Sequence, residues 1–120
     1  MAAKKKRSKS RSIESETPRI HEAFLESGSS GAVICGQELE LSQAVARRQG
    51  GQDVVVCGPS TKANRGLACR IESAVGPCER QEPHVDLAGP LALPHFQQTE
   101  RSAKGHSFYE TENRTAKKSQ

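Results

Sequence analysis

The sequence contains few of the large apolar residues from which protein cores are built. Its 120 residues include no Trp, one Tyr and three Phe. Leu, Ile, Val and Phe together number 21, below the roughly 20% at which a charged chain begins to resemble a disordered one. The length suits one domain and not two. These shortages exclude a large multilayer enzyme and leave a small domain with a modest core.

Long apolar runs are also missing. The longest strongly apolar run is Val54–Cys57, far short of the roughly 20 residues that a membrane-spanning helix needs. The basic residues 4–7 are followed by Ser, Arg and Glu, whereas a secretory signal continues into an apolar segment. We therefore expect neither a membrane span nor a secretory signal.

Positive charge is concentrated at the two ends of the chain. The net charge is +4 overall, but residues 1–19 carry +5, residues 113–120 carry +3 and residues 20–112 carry −4. A run of like charges without apolar periodicity repels itself and has nothing to bury. This distribution predicts a disordered basic leader (1–19), a single folded domain (20–112) and a basic tail (113–120).

The folded region combines helical and strand patterns. Ile20 and Phe24 are spaced as on a helix, which predicts a short first helix. Good helix formers fill 37–49, and apolar residues recur at every fourth position within 62–75, so both segments are predicted helices. The β-branched run 53–57 predicts a buried strand, and 32–35 a short edge strand.

The last third of the domain predicts short strands, because Pro and Gly interrupt it repeatedly. We expect its apolar residues to line one face of a small antiparallel sheet: Val85, Leu87, Leu91, Leu93, Phe96, Phe108 and Tyr109. The predicted fold class is therefore α+β, with two to three helices packed on a small, mostly antiparallel sheet.

Three histidines in this last third are the strongest functional signal. His84, His95 and His106 lie eleven residues apart, and each follows a Pro or a Gly. Because histidine titrates near neutral pH, two of them can share general acid and base catalysis. RNA cleavage needs a base for the 2′-hydroxyl, an acid for the leaving oxygen and cations for the phosphate. The bland alternative is three unrelated surface histidines.

In the catalytic interpretation, His95 and His106 are the base and the acid. His84 would be an auxiliary histidine, and Tyr109 would be a further hydrogen-bond donor. Arg101 and Lys104 would bind the phosphate.

No cofactor is predicted, and metal binding is the weaker alternative. Four Cys and four His are available, but no pair has the spacing of a compact zinc site. Cys69, Cys78 and His84 form the least implausible cluster. Disulfides are possible in number, although free cysteines are the default expectation here. The turn at 58–62 could bind an anion at a helix N-terminus, but capping by Ser60 or Thr61 explains it equally well.

Several short motifs in the second half of the chain form a recognisable series: Pro83-His84, Ala88-Gly89-Pro90, Leu93-Pro94-His95-Phe96-Gln97 and Gly105-His106-Ser107-Phe108-Tyr109-Glu110. Together with 52–58 and 63–65, this series resembles small toxin domains of bacterial polymorphic toxins, over roughly residues 37–115. In several such domains, a His-aromatic-Gln/His element precedes a Gly-His-x-Phe-Tyr strand.

The resemblance implies a C-terminal effector domain, often a nuclease, that belongs to a longer delivery protein and pairs with a cognate immunity protein. The positions carried over are His84, His95, His106 and Tyr109. We therefore expect a toxin-type, metal-independent ribonuclease acting in the cytoplasm, its own or that of a target cell, on RNA more readily than DNA. The alternative is a non-enzymatic protein that binds nucleic acid through its basic tails.

Overall fold

The computed structural model of the chain contains one sheet of seven strands, on which two helices pack. It describes residues 17–26, 31–81, 91–99 and 104–118. The helices are α1 (Leu41–Gln49) and α2 (Thr61–Val75). The strands are β1 (Arg19–Leu25), β2 (Val33–Leu39), β3 (Val54–Cys57), β4 (Cys78–Gln81), β5 (His95–Gln98), β6 (Ser107–Tyr109) and β7 (Lys117–Lys118).

The strand order across the sheet is β4-β5-β6-β3-β1-β2-β7. Four of the six pairings are antiparallel, and β3–β6 and β2–β7 are parallel. The sheet is thus mixed and mostly antiparallel, and the predicted α+β class is confirmed. Strand β6 inserts between β5 and β3, which brings the end of the domain beside its middle.

Both helices begin and end at the residues that helix chemistry favours. Glu40 and Gln43 form a capping box at the start of α1, which ends at Gly50. At the start of α2, the Ser60 hydroxyl accepts a hydrogen bond from the Ala63 backbone N–H at 3.1 Å. Ser60 is one of the two residues predicted to cap this helix. The predicted helix at 62–75 is confirmed, whereas the first residues of the predicted helix at 37–49 belong to β2. Among the described residues, no helix is long and apolar enough to cross a membrane.

The two faces of the sheet carry separate apolar clusters, because side chains alternate along each strand. On the helix face, Val54 and Val56 pack with residues of both helices. On the opposite face, called the far face here, Val55 packs with Ala23, Val33, Leu93 and Phe108. The three valines of β3 are completely buried, so this strand is the centre of the fold.

The predicted first helix is wrong, since Arg19–Leu25 form strand β1. This strand pairs with β2 on one side and β3 on the other. Two apolar residues at helical spacing are too weak a helical signal to outweigh hydrogen bonding along both edges of the strand. The side chains of Phe24 and Leu25 remain 47% and 56% exposed.

The apolar residues of the last third do not share one face. Leu93 and Phe108 lie on the far face, whereas Phe96 and Tyr109 lie on the helix face. Phe96, Phe108 and Tyr109 lie on strands, in which successive side chains point to opposite faces. Leu91 is 45% exposed, and positions 85 and 87 lie outside the described residues.

The fold extends beyond the predicted boundary at residue 112. The Arg114 guanidinium donates to the Ala92 carbonyl at 2.8 Å, and the Ala116 N–H donates to the Glu110 carboxylate at 2.8 Å. Strand β7 then pairs with β2. Part of the predicted basic tail is therefore built into the sheet, while positions 1–16 and 119–120 lie outside the described residues.

Candidate functional site

The fold brings His95 and His106 into contact on the far face. His95 opens β5 and pairs with Phe108 of β6, and His106 immediately precedes β6. The two imidazole rings lie 4.6 Å apart between centroids, in an edge-to-face arrangement with an interplanar angle of 75°. Two of the three histidines singled out by the sequence thus form a pair.

Phe108 supports both imidazoles from within the sheet. Its ring centroid lies 5.3 Å from that of His95 and 5.1 Å from that of His106. Phe108 is itself buried within the apolar cluster of the far face. Edge-to-face and tilted aromatic packing of this kind favours a defined geometry, so the histidine rings rest on a fixed support.

The Asp53 carboxylate contacts both the backbone and the side chain of His106. The Asp53 Oδ1 atom accepts the His106 backbone N–H at 2.7 Å and lies 3.2 Å from His106 Nδ1. The parallel pairing of Val54 with Ser107 brings these two preceding residues side by side. With Nδ1 donating to the carboxylate, Nε2 is the ring nitrogen left to exchange a proton with a substrate. The His106 side chain is 33% exposed, so a substrate can reach it.

His95 is partly buried and has a perturbed pKa. Burial and the nearby His106 lower the pKa of His95 from its ordinary 6.5, and these effects outweigh the opposing hydrogen bonds and the charge of Asp53. Its Nε2 atom lies 3.1 Å from the Gln97 amide oxygen. A histidine with a lowered pKa is neutral at pH 7 and can accept a proton.

This arrangement suits acid–base chemistry in which the two rings act from one side. Rings in edge contact leave no room between them for another group, so a substrate would approach the pair from the solvent side, where the His106 side chain is 33% exposed. The neutral His95 would take a proton, and His106, in an ion pair with Asp53 when protonated, would give one. The two partner groups differ, since His95 has an amide partner and His106 a carboxylate.

The remaining predicted site residues do not join the pair. Tyr109 is 2% exposed on the helix face, where its ring packs 5.8 Å from Phe96. This placement removes Tyr109 from the candidate site. Lys104 is exposed and lies two residues before His106, which keeps it near the site. His84 and Arg101 lie outside the described residues.

Asp53 and Gln97 are the polar partners of the site that the sequence did not single out. Asp53 stands at the start of an apolar strand, where a carboxylate without a local partner is a usable signal. Its partner is 53 residues away, however, and only the parallel β3–β6 pairing identifies it. Gln97 could have been found from the two-residue spacing to His95, which places both side chains on one face of a strand.

In the part of the chain that it describes, the structure shows no metal site that involves the cysteines. Among the described residues, no three His, Cys, Asp or Glu side chains converge as a metal ion requires. The four cysteines are free. Cys69 and Cys78 lie 3.8 and 3.5 Å from the Ser73 hydroxyl. Burial and the neighbouring Glu110 raise the pKa of the Cys57 thiol, which makes it unreactive at neutral pH.

The turn before α2 already holds an anion from the chain itself. The Gly58 backbone N–H donates to the Glu110 carboxylate at 3.1 Å. The hydroxyl of Ser60 caps the helix, and that of Thr61 accepts the Glu112 N–H at 2.9 Å. These contacts fill the anion-binding role that the sequence suggested for 58–62.

Comparison with known proteins gives no further indication of function. The chain matches no protein-family model, no curated protein and no solved structure.

Proposed function

We propose that the chain is a metal-independent ribonuclease that cleaves RNA by histidine acid–base catalysis. The observation that carries the proposal is the contact between His95 and His106, with His106 hydrogen-bonded to Asp53. The pair consists of one imidazole with a lowered pKa, which suits a base, and a second imidazole hydrogen-bonded to a carboxylate, to which we assign the role of the acid.

In the proposed reaction, the 2′-hydroxyl oxygen of a ribose attacks the adjacent phosphorus. His95 removes the hydroxyl proton as the new O2′–P bond forms, and His106 delivers a proton to the 5′-oxygen as the P–O5′ bond breaks. The products are a 2′,3′-cyclic phosphate and a free 5′-hydroxyl. The ammonium group of Lys104 would stabilise the charge that accumulates on the phosphoryl oxygens.

The resemblance to polymorphic-toxin domains extends the proposal to a biological setting. On this view the chain is an effector domain that acts in the cytoplasm of a target cell and is held inactive by an immunity protein. The motifs containing His95 and His106 lie on neighbouring strands, β5 and β6, which is compatible with one shared site. Expression in bacteria should arrest growth, and His106→Ala should relieve that arrest.

The direct test is cleavage of a defined RNA oligonucleotide by the purified chain in the presence of a chelator. We expect products that end in a 2′,3′-cyclic phosphate, and no cleavage when the ribose at the cleavage site is replaced by deoxyribose. Loss of one acid–base group usually lowers the rate by about 10²–10⁴-fold. Such losses are expected for His95→Ala and for His106→Ala.

His21→Ala is the matched control for these variants. His21 lies on β1 with its Nδ1 atom 3.0 Å from the Gly36 carbonyl, and it makes no ring contact with the pair among the described residues. Its replacement should leave the cleavage rate unchanged. Wild-type cleavage by a correctly folded His95→Ala, His106→Ala double variant would refute the proposal.

The same assay separates cleavage from simple binding by the basic leader. If the chain binds RNA without cutting it, and if deletion of residues 1–12 abolishes salt-sensitive binding, the non-enzymatic alternative is supported instead. Deletion from residue 114 is not an equivalent test, because Arg114 and β7 belong to the folded sheet.

A further inference from the structure

Arg48 is a completely buried arginine in the last turn of α1. Its Nε and Nη2 atoms donate to the two carboxylate oxygens of Glu72, each at 2.8 Å. Its Nη1 atom donates to the carbonyls of Gln52 at 3.1 Å and Lys104 at 2.8 Å. The guanidinium therefore joins a helix, the loop before β3 and the loop before β6.

The two loop carbonyls identify what this arginine controls. Gln52 directly precedes Asp53, and Lys104 stands two residues before His106. From these positions we infer that Arg48 is the positioning residue of the Asp53–His106 pair, holding the two loops at the separation that their hydrogen bond requires. The catalytic meaning of this inference rests on the proposed ribonuclease function.

Gly105 shows how closely the loops are held. Its φ is +95°, a conformation that favours glycine. A Cβ atom at this position would lie 2.7 Å from Arg48 Nη1 and 3.1 Å from Asp53 Oδ1. The backbone of the His106 loop thus passes between the guanidinium and the carboxylate with no space for a side chain.

Glu72 connects the guanidinium to the strands that carry both histidines. Its carboxylate accepts the Ser107 hydroxyl at 2.7 Å and the Gln98 amide at 2.6 Å. Ser107 follows His106 in the chain, and Gln98 is the last residue of β5, which begins with His95. The buried network on the helix face therefore fixes the backbone beneath both members of the pair.

Arginine is the residue that this arrangement requires. A guanidinium presents a planar fork of donors that can serve a carboxylate and two carbonyls at once, whereas an ammonium group has three donors on one atom. Lysine at position 48 would keep the positive charge beside Glu72 but could not reach both loop carbonyls in the same geometry. Arg48→Lys thus separates positioning from charge.

The test follows the imidazole of His106 by long-range ¹H–¹⁵N NMR in the full chain. In the wild type we expect one tautomer, with the proton on Nδ1. In Arg48→Lys we expect a mixture of tautomers, together with a fall in kcat for RNA cleavage of about 10²-fold at nearly unchanged KM, as for other misplaced catalytic groups. A folded Arg48→Lys protein with the wild-type tautomer would overturn the inference.

Arg70→Lys is the control, because Arg70 is exposed on α2 and its replacement should change neither the tautomer nor the rate.

If Arg48→Lys does not fold, NMR of the wild-type protein provides the test. Resolved, slowly exchanging Nη protons on Arg48 support the inference, and signals averaged like those of Arg70 overturn it. The tautomer is read without RNA, so its loss in Arg48→Lys without any wild-type cleavage would retain the positioning role and reject the ribonuclease.

Discussion

On the helix face, the Arg48 and Glu72 side chains are completely buried and paired with each other, whereas on the far face the side chains of His106 and Asp53 are 33% and 19% exposed. The first pair joins the two helices that pack on the sheet, and the second joins the residues that directly precede β3 and β6. The charges of the first pair are removed from water. The second leaves the His106 ring partly exposed to solvent.

This difference separates the polar groups that hold the fold from those available for chemistry. A buried charge is tolerated only when its partners are complete, because each unpaired donor or acceptor is costly in the interior. A group that exchanges protons with a substrate must instead be reachable from solvent, as the His106 side chain is.

The largest expected effect comes from breaking the buried pair. Arg48→Met leaves the Glu72 carboxylate buried without its charged partner, which should lower the free energy of unfolding by about 3–5 kcal/mol. Urea denaturation measures the change. Replacement of the exposed Arg19 of the Arg19–Glu38 pair should change the stability by less than about 1 kcal/mol. Equal losses in the two variants would contradict the contrast between the faces.

A smaller loss is expected from Gly105→Ala. The methyl group would meet Arg48 and the substitution would strain a backbone at φ +95°, at a cost of about 1–3 kcal/mol. Gly66→Ala is the matched control, because a Cβ at that helical position meets nothing within 4 Å and alanine stabilises a helix by about 1 kcal/mol relative to glycine. The thermal midpoints should therefore move in opposite directions.

The free energy of unfolding should depend on pH through His95 on the far face. Because the pKa of His95 is lowered in the folded state, the unfolded chain binds more protons as the pH falls below about 6.5. The associated stability is present above that pH and is lost as the pH falls through the folded-state pKa. Urea midpoints between pH 7.5 and 5 should decline less steeply in His95→Gln than in the wild type, and parallel curves would contradict this origin.

The smallest effect is expected at the exposed end of β1. The Arg47 guanidinium lies 5.2 Å from the centroid of the Phe24 ring, and Phe24→Leu removes this cation–π contact while keeping an apolar side chain. A partly exposed contact of this type contributes about 0.5–1 kcal/mol. Chemical denaturation would detect the loss, and Leu25→Ala, at a more exposed neighbour, serves as the comparison.

The sequence predicted the parts of the fold whose signals are local. The helix at 61–75 repeats apolar residues over four turns and carries its own cap, and the strand at 54–57 is a continuous β-branched run. Strand β1 was mistaken for a helix because its structure depends on neighbours on both sides. Strand β7 was missed because two lysines carry no apolar pattern and pair only through the backbone.

The candidate site was predictable by residue type but not by geometry. His95 and His106 stood out because of their chemistry and spacing, and the structure brings them together. Asp53 and Arg48 could not be assigned to them, since their contacts span 53 and 56 residues. The opposite orientations of Phe108 and Tyr109 follow from strand alternation once β6 is known, but a three-residue strand has no reliable period.

The insertion of β6 between β3 and β5 has a consequence for the order in which the molecule assembles. Both helices and strands β1 to β3 lie before residue 81 in the chain, but the Asp53–His106 contact requires closure of a 53-residue loop. Contacts of such long range form late and slowly in folding. The hydrogen bond between Asp53 and His106 would therefore form late in folding, after the more local contact between His95 and His106, which lie only eleven residues apart on neighbouring strands.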